Sequence, residues 1–379
     1  MLDSSMVERT PAFVLEYDRF KQNLALIDSL QQRIPARFLL ALKGFAMYEV
    51  FEEIAKVASG ATASSLNEAR LAGEYFGEVH AYCPAYNPRE FPFIAAIAKH
   101  ITFNSIAQYE RHKTGLGRAK AGLRINPEYS TVETALYNPC IPGSRLGIPA
   151  SQLQSLPKGI SGLHSHNLCE SGAEELQGTL GQIERLYGHL LEDIAWLNLG
   201  GGHLVTRNGY NQNLLVKTLT DFHERHPHLE LILEPGAAFV WETGVLVSEV
   251  LDIVENEGVI SIMMDTSFAA HMPDCLEMPY TPRVRGMRIR QANEKPANDE
   301  QIIQFGGSSC LAGDWVGQYI CKNLPQVGDR IVFEDMMHYT MVKTTMFNGI
   351  ALPDIAIFEE GAYRVVKRFS YENYKYRLS

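Results

Sequence analysis

No two of the six cysteines (Cys83, Cys140, Cys169, Cys275, Cys310, Cys321) form a C-x-x-C pair. That spacing excludes a zinc-finger or ribbon site and points to a reducing compartment. No apolar run reaches the length of a membrane span. The opening "MLDSSMVERT" has neither a basic n-region nor an apolar h-region, so no secretory signal is expected and a cytoplasmic location is. Positive charge is short: 34 Lys and Arg face 44 Asp and Glu, a net charge of −10. This balance argues against a nucleic-acid partner and suits a cationic substrate. Solenoid repeats and low-complexity tracts are also missing.

What is present is a rhythm. Apolar or small-residue runs ending in polar or glycine residues recur as "RFLLALKG", "ASGATASS", "EVHAYCP", "HITFNS", "AGLRINP", "ISGLHSHN", "IAWLNLGGG" and "LELILEPG". Between most of them lie helical stretches such as "MYEVFEEIAKVA" and "LNEARLAGEYF". Strands alternating with helices predict parallel βαβ units. Eight such units predict an α/β fold with a closed (β/α)8 barrel over residues 13–240, in preference to a doubly wound open sheet. From residue 241 to 379 short alternating strands, among them "GVLVSEVLDIV", "QIIQFGG" and "DRIVFEDM", predict an antiparallel β domain. Residues 1–12 are expected to lend that domain a strand.

Barrel enzymes place their chemistry at the C-terminal ends of the strands. Lys43, Thr62, Asn104, Arg124, His166, Gly200–Gly202 and Glu234 fall at such ends. Lys43 follows the buried-looking run Phe38–Leu42, and a desolvated lysine has a lowered pKa and can form a Schiff base. Three glycines after a strand let backbone N–H groups approach a phosphate. Glu234, before Pro235 and Gly236, is a carboxylate in need of a cationic partner, which a pyridinium nitrogen would satisfy. His166 has a flat ring to stack on a cofactor ring, and Arg124 is an ion-pair candidate. Singly each has a plain structural reading: a snorkelling lysine, a tight turn, a core histidine, a structural ion pair. Together they describe a site for pyridoxal 5'-phosphate (PLP).

The motifs "ALKGF", "LRINP", "LHSHN", "LGGGH", "EPG", "GGSSCLAGD" and "YTMVKTTMFNG" resemble those of the alanine-racemase-fold PLP decarboxylases, the group of the ornithine and diaminopimelate decarboxylases. Within it, "DTSFAAHMPDCLEMPY" and "SCLAGD" are similar to the carboxynorspermidine (carboxyspermidine) decarboxylases. The resemblance implies Lys43 as the cofactor lysine and phosphate contacts from Gly200, Gly201, Gly202, Gly236 and the Tyr339 hydroxyl. It implies Glu234 on the ring nitrogen, His166 on the ring face, and Cys310 as the general acid reaching in from a partner subunit. It also implies a homodimer with shared active sites, with Asp314 crossing the interface.

The pattern departs from the family at three places. Ala237 stands where an arginine follows "EPG", so one phosphate contact is missing or replaced. Thr62 stands for an aspartate, although Glu68 matches the family's following glutamate. Ser165 stands for a phenylalanine.

A carboxylated polyamine needs acids at the far end of its pocket. Asp274, Glu277 and Glu242 are the candidates, each with the plain alternative of a surface acid on a loop. His271 and Tyr280 are placed to line the same segment, and Met272 and Met278 either suit a methylene chain or belong to the core. A related amino-acid decarboxylase and a non-catalytic regulator on the same fold are the alternative readings.

Overall fold

The structure is a computed structural model that describes every residue except Glu133. It divides into two compact units, one of residues 23–239 and one of residues 1–22 with 240–379. Among the described residues no helix is long and apolar enough to cross a membrane.

The first strand, β1 (Ala12–Glu16), belongs to the second unit; the next eight build the first. These are β2 (Ala36–Ala41), β3 (Gly60–Ala63), β4 (Val79–Tyr82), β5 (His100–Phe103), β6 (Lys120–Arg124), β7 (Ile160–His164), β8 (Trp196–Asn198) and β9 (Glu230–Leu233). All are parallel, and β9 returns to pair with β2, Ala36 opposite Leu231, closing the barrel. Six of the eight strands sit wholly within the runs named above, and β2 and β6 each begin one residue earlier, at Ala36 and Lys120.

Local sequence explains how the chain turns between strands. After β3 and after β5 the same device starts a helix. Ser65 Oγ accepts from Glu68 N–H while Glu68 accepts from Ser64 N–H; Ser105 and Gln108 repeat the pattern with Asn104.

The barrel is filled, not hollow. Trp196 stacks on His100 with centroids 4.6 Å apart and planes 7° apart. A Cβ on Gly122 or Gly162 would come within 2.2 or 2.0 Å of the indole, so glycine at both positions makes room for it. At the N-terminal strand ends Glu78 gathers Arg37, Lys99 and His80.

The second unit contains β1, β10 (Gly244–Asn256), β11 (Val259–Met264), β12 (Arg288–Ile289), β13 (Gln301–Gly306), β14 (Trp315–Cys321), β15 (Arg330–Glu334), β16 (Asp354–Glu359) and β17 (Ala362–Lys367). Their order is β12-β14-β13-β11-β10-β1-β16-β17, with β15 also on β10. Leu2, Val7, Val14, Val245, Val247 and Val332 form part of its core.

Two expectations need correction. The sheet is mixed, because β1 runs parallel to β16 and β11 parallel to β13. The β11–β13 connection runs from Met264 to Gln301, long enough for a parallel crossover. The barrel unit also begins later than residue 13, at residue 23. β1 lies between β10 and β16, so backbone pairing holds it in the sheet.

Candidate active site

Lys43, Arg124, His166, Gly200–Gly202, Glu234 and Gly236 all lie at or just beyond C-terminal strand ends of the barrel. The Lys43 turn and the Glu234 turn meet at two glycines. A Cβ on Gly44 would sit 3.1 Å from Gly236 Cα, so both must be small for the turns to touch. Lys43 is accessible from the mouth, and its Nζ lies 3.0 Å from His166 Nε2. The surrounding strand ends desolvate it and lower its pKa; Glu234 opposes this and Arg124 reinforces it.

Glu234 is buried beneath the mouth. Asn198 Nδ2 donates to its Oε1 at 2.7 Å, and His164 Nε2 stands 3.6 Å from its Oε2. Burial alone would raise its pKa, but hydrogen bonding, from His164 above all, outweighs that and holds the carboxyl well below its usual range. Arg124 is buried, donates to the His166 carbonyl at 2.8 Å and lies 4.8 Å over the Tyr82 ring.

The glycine triplet works differently from the expected cradle. Gly200 N–H donates to Asn198 Oδ1 at 2.8 Å and Gly201 N–H to His166 Nδ1 at 3.1 Å. Gly200 and Gly202 have φ of +67° and +87°, and a Cβ on Gly202 would come 2.2 Å from the Leu168 carbonyl oxygen. The triplet therefore wraps tightly on its neighbours, with two of its amides turned inward to fix Asn198 and His166.

Thr62 and Asn104, placed at strand ends with the rest, do structural work. The Thr62 carbonyl accepts from Leu42 N–H at 3.2 Å. Asn104 bonds Tyr82, Arg145 and Gly147. Glu68 serves its helix cap, and burial raises its pKa. Ser165 is buried and donates to Asn167 Oδ1 at 3.0 Å.

Sequence reasoning missed His164 and Asn198, the two residues that hold Glu234. Strand alternation carried a signal for one of them. His164 and His166 are two apart, and residues so spaced on a strand share a face. His164, His166 and Glu234 offer three ligand atoms within 4.8 Å of one another, as a metal ion would need. His166 Nδ1 is already taken by Gly201, and Arg124 brings positive charge, so the cluster is not set up for a dication.

In the second unit Asp274 and Glu277 sit on one short helical turn and both close on the Lys343 ammonium. Tyr339 opens the turn Thr340–Lys343 at φ +51°, a strained angle for a tyrosine. Cys310 is exposed, and its N–H donates to Asn348 Oδ1 at 2.9 Å.

Two placements differ from expectation. Asp314 is buried and turns inward, accepting from Ala269 N–H at 2.8 Å and Ser309 N–H at 3.1 Å, so it braces its own loop. Glu242 pairs with Arg283 at 2.6 Å and lines a separate cavity with Arg19 and Arg285. Met272 and His271 are core residues, the latter bonded to Thr266 at 2.9 Å. Met278 is half-buried and Tyr280 remains exposed.

Residues 17–337 match the family model described as "Pyridoxal-dependent decarboxylase, C-terminal sheet domain". The chain is 53% identical to carboxyaminopropylagmatine decarboxylase of Synechocystis sp., over 97% of this chain and 95% of that protein. It is 40% identical to carboxynorspermidine/carboxyspermidine decarboxylase of Campylobacter jejuni, over 97% and 98% respectively. The crystal structure of carboxynorspermidine decarboxylase complexed with norspermidine from Campylobacter jejuni superposes with a TM-score of 0.89 at 37% identity, covering 97% of this chain and 100% of that one.

Proposed function

The chain belongs to the pyridoxal-dependent decarboxylases, and on that basis we propose that it removes the α-carboxylate of carboxynorspermidine and carboxyspermidine, releasing CO2 and leaving norspermidine and spermidine. The observation that carries the substrate class is the pair Asp274 and Glu277 closing on one alkylammonium. The distal amine of a polyamine is such a group, and two carboxylates hold it by charge-assisted hydrogen bonds. Here the chain's own Lys343 stands where that ammonium would.

The barrel mouth fits PLP on three counts. Lys43 has a depressed pKa, the buried Glu234 is held ionised for a ring N–H⁺, and the Gly202 amide is not taken up by any backbone group among the described residues. When bound, PLP supplies an electron-accepting ring that takes up the pair left by the departing carboxylate. Lys43 would hold the cofactor covalently, and Glu234, steadied by Asn198 and His164, would keep the proton on the ring nitrogen. His166 would cover the ring face, with Arg124 fixing its backbone. Gly202 and Gly236 would offer N–H groups to the phosphate, with the Tyr339 hydroxyl assigned there on family resemblance. Gly200 and Gly201 serve indirectly, by orienting Asn198 and His166. Cys310, exposed on its loop, would return a proton to the α-carbon in the site of a second copy of the chain, making the working form a homodimer.

One observation favours a second reading. The 53% identical relative is named for carboxyaminopropylagmatine, whose distal group is a guanidinium. A planar guanidinium presents a fork that two carboxylates can share. CO2 release by PLP-loaded protein from carboxynorspermidine, carboxyspermidine, carboxyaminopropylagmatine, diaminopimelate and ornithine decides among them. Release from the first two supports the proposal, and preference for the third moves it to the guanidinium substrate. Release from the amino acids alone overturns it.

A further inference from the structure

The hydrogen bonds around His166 dictate a protonation state. A backbone N–H only donates, so the Gly201 amide at 3.1 Å requires a lone pair on His166 Nδ1. A neutral imidazole with its lone pair on Nδ1 carries its proton on Nε2. That Nε2–H faces Lys43 Nζ at 3.0 Å. An ammonium has no lone pair to receive it. A doubly protonated imidazole would set an N–H against the Gly201 N–H. Only a neutral His166 beside a neutral Lys43 satisfies both contacts.

We propose that the Gly201 amide, acting through His166, holds Lys43 as a free amine before cofactor arrives, so that the lysine captures an aldehyde without first shedding a proton. His166 is here a positioning residue. In the capture step the Nζ lone pair attacks the aldehyde carbon and a C–N bond forms. The carbonyl oxygen leaves as water with the two amine protons. The inference rests on the PLP reading only for the identity of the aldehyde.

The surrounding charges agree. Burial above all pushes the His166 imidazole toward its neutral form, and Arg124 adds to this, against the opposing pull of Glu234. Within the barrel unit the groups acting on Lys43 are Glu234, Arg124, Cys169 and Glu68, and desolvation outweighs them. His164, the other imidazole at the mouth, is buried and also pushed toward its neutral form.

The test uses full-length protein stripped of cofactor. Ring ¹⁵N shifts, with His166 identified by the signal lost in His166→Gln, should show a bare Nδ1 and a protonated Nε2. A protonated Nδ1 overturns the proposal. Stopped-flow capture of PLP across pH gives the second readout. His166→Phe should raise the apparent pKa of capture by about one unit, slowing capture at neutral pH about 10-fold. His166→Gln should restore the wild-type profile, since its amide oxygen accepts from Gly201 and its NH2 donates to Nζ. An unchanged pH profile in His166→Phe, or no rescue by His166→Gln, overturns it. The ¹⁵N shifts are read without cofactor or substrate, so failure of the polyamine reading is told apart from failure of this one.

Discussion

Asn198 Nδ2 donates to Glu234 Oε1 at 2.7 Å, while the Asn198 side-chain oxygen accepts from Gly200 N–H at 2.8 Å. One amide thus locks the glycine turn to the buried carboxylate. Its orientation is fixed, because an N–H donor on one side and a carboxylate on the other leave a single choice.

Asn198→Asp places a second carboxylate against Glu234, and like charges raise the pKa of the pair. In the proposed role Glu234 works as a carboxylate, and its surroundings hold its pKa well below normal. The acid limb of the kcat profile should therefore move to higher pH in Asn198→Asp. Glu234→Gln should lower kcat by about 100-fold or more at every pH. A pH-rate series on both variants checks this.

Lys43→Ala should abolish turnover and the visible absorbance of bound cofactor together. Cys310→Ala should keep the absorbance and lower kcat by about 100-fold or more, the loss expected for a general acid. Spectra and steady-state kinetics on the two proteins separate cofactor binding from protonation.

Glu277→Gln removes one carboxylate from the pair around the Lys343 ammonium. If a substrate ammonium takes that place, KM for the carboxylated polyamine should rise about 10-fold, the worth of a charged hydrogen bond. An unchanged KM removes Glu277 from the substrate site.

Asp314→Asn turns one acceptor into a donor facing backbone N–H groups that now point at the carboxylate. Stability should fall by about 1–3 kcal/mol, and the Cys310 loop should become easier to cleave. KM for substrate should not change. Thermal unfolding, limited proteolysis and KM together distinguish a brace from a substrate contact.

His100 is buried against Trp196, both ring nitrogens lack hydrogen-bond partners among the described residues, and burial with His80 and Lys99 pushes its pKa down to about 3. The unfolded chain protonates this histidine below about 6.5. Stability from keeping it neutral is whole above that pH and declines as pH falls toward the folded value. His100→Phe keeps a ring against Trp196 and should flatten the fall of Tm with pH across that window.

Much of the fold was legible in the sequence because it is written locally. The eight strands announce themselves by apolar runs with polar or glycine ends, and helix starts by Ser-x-x-Glu and Ser-x-x-Gln. Lys43, His166, the glycines and Glu234 reach the barrel mouth because a βαβ chain must put successive strand ends on one side. What local pattern cannot carry is the choice of partner across long separations. Asn198 meets Glu234, Lys343 meets Asp274 and Glu277, and Glu242 meets Arg283 only because packing brings distant segments together. The same holds for Asp314, turned inward by two backbone amides, and for β1, drawn into the sheet by strands from the far end of the chain. The sequence alone determined which residue types stand at the mouth; the tertiary structure decided which atoms they face, and hence their charge, since protonation depends on neighbours and burial rather than on residue type.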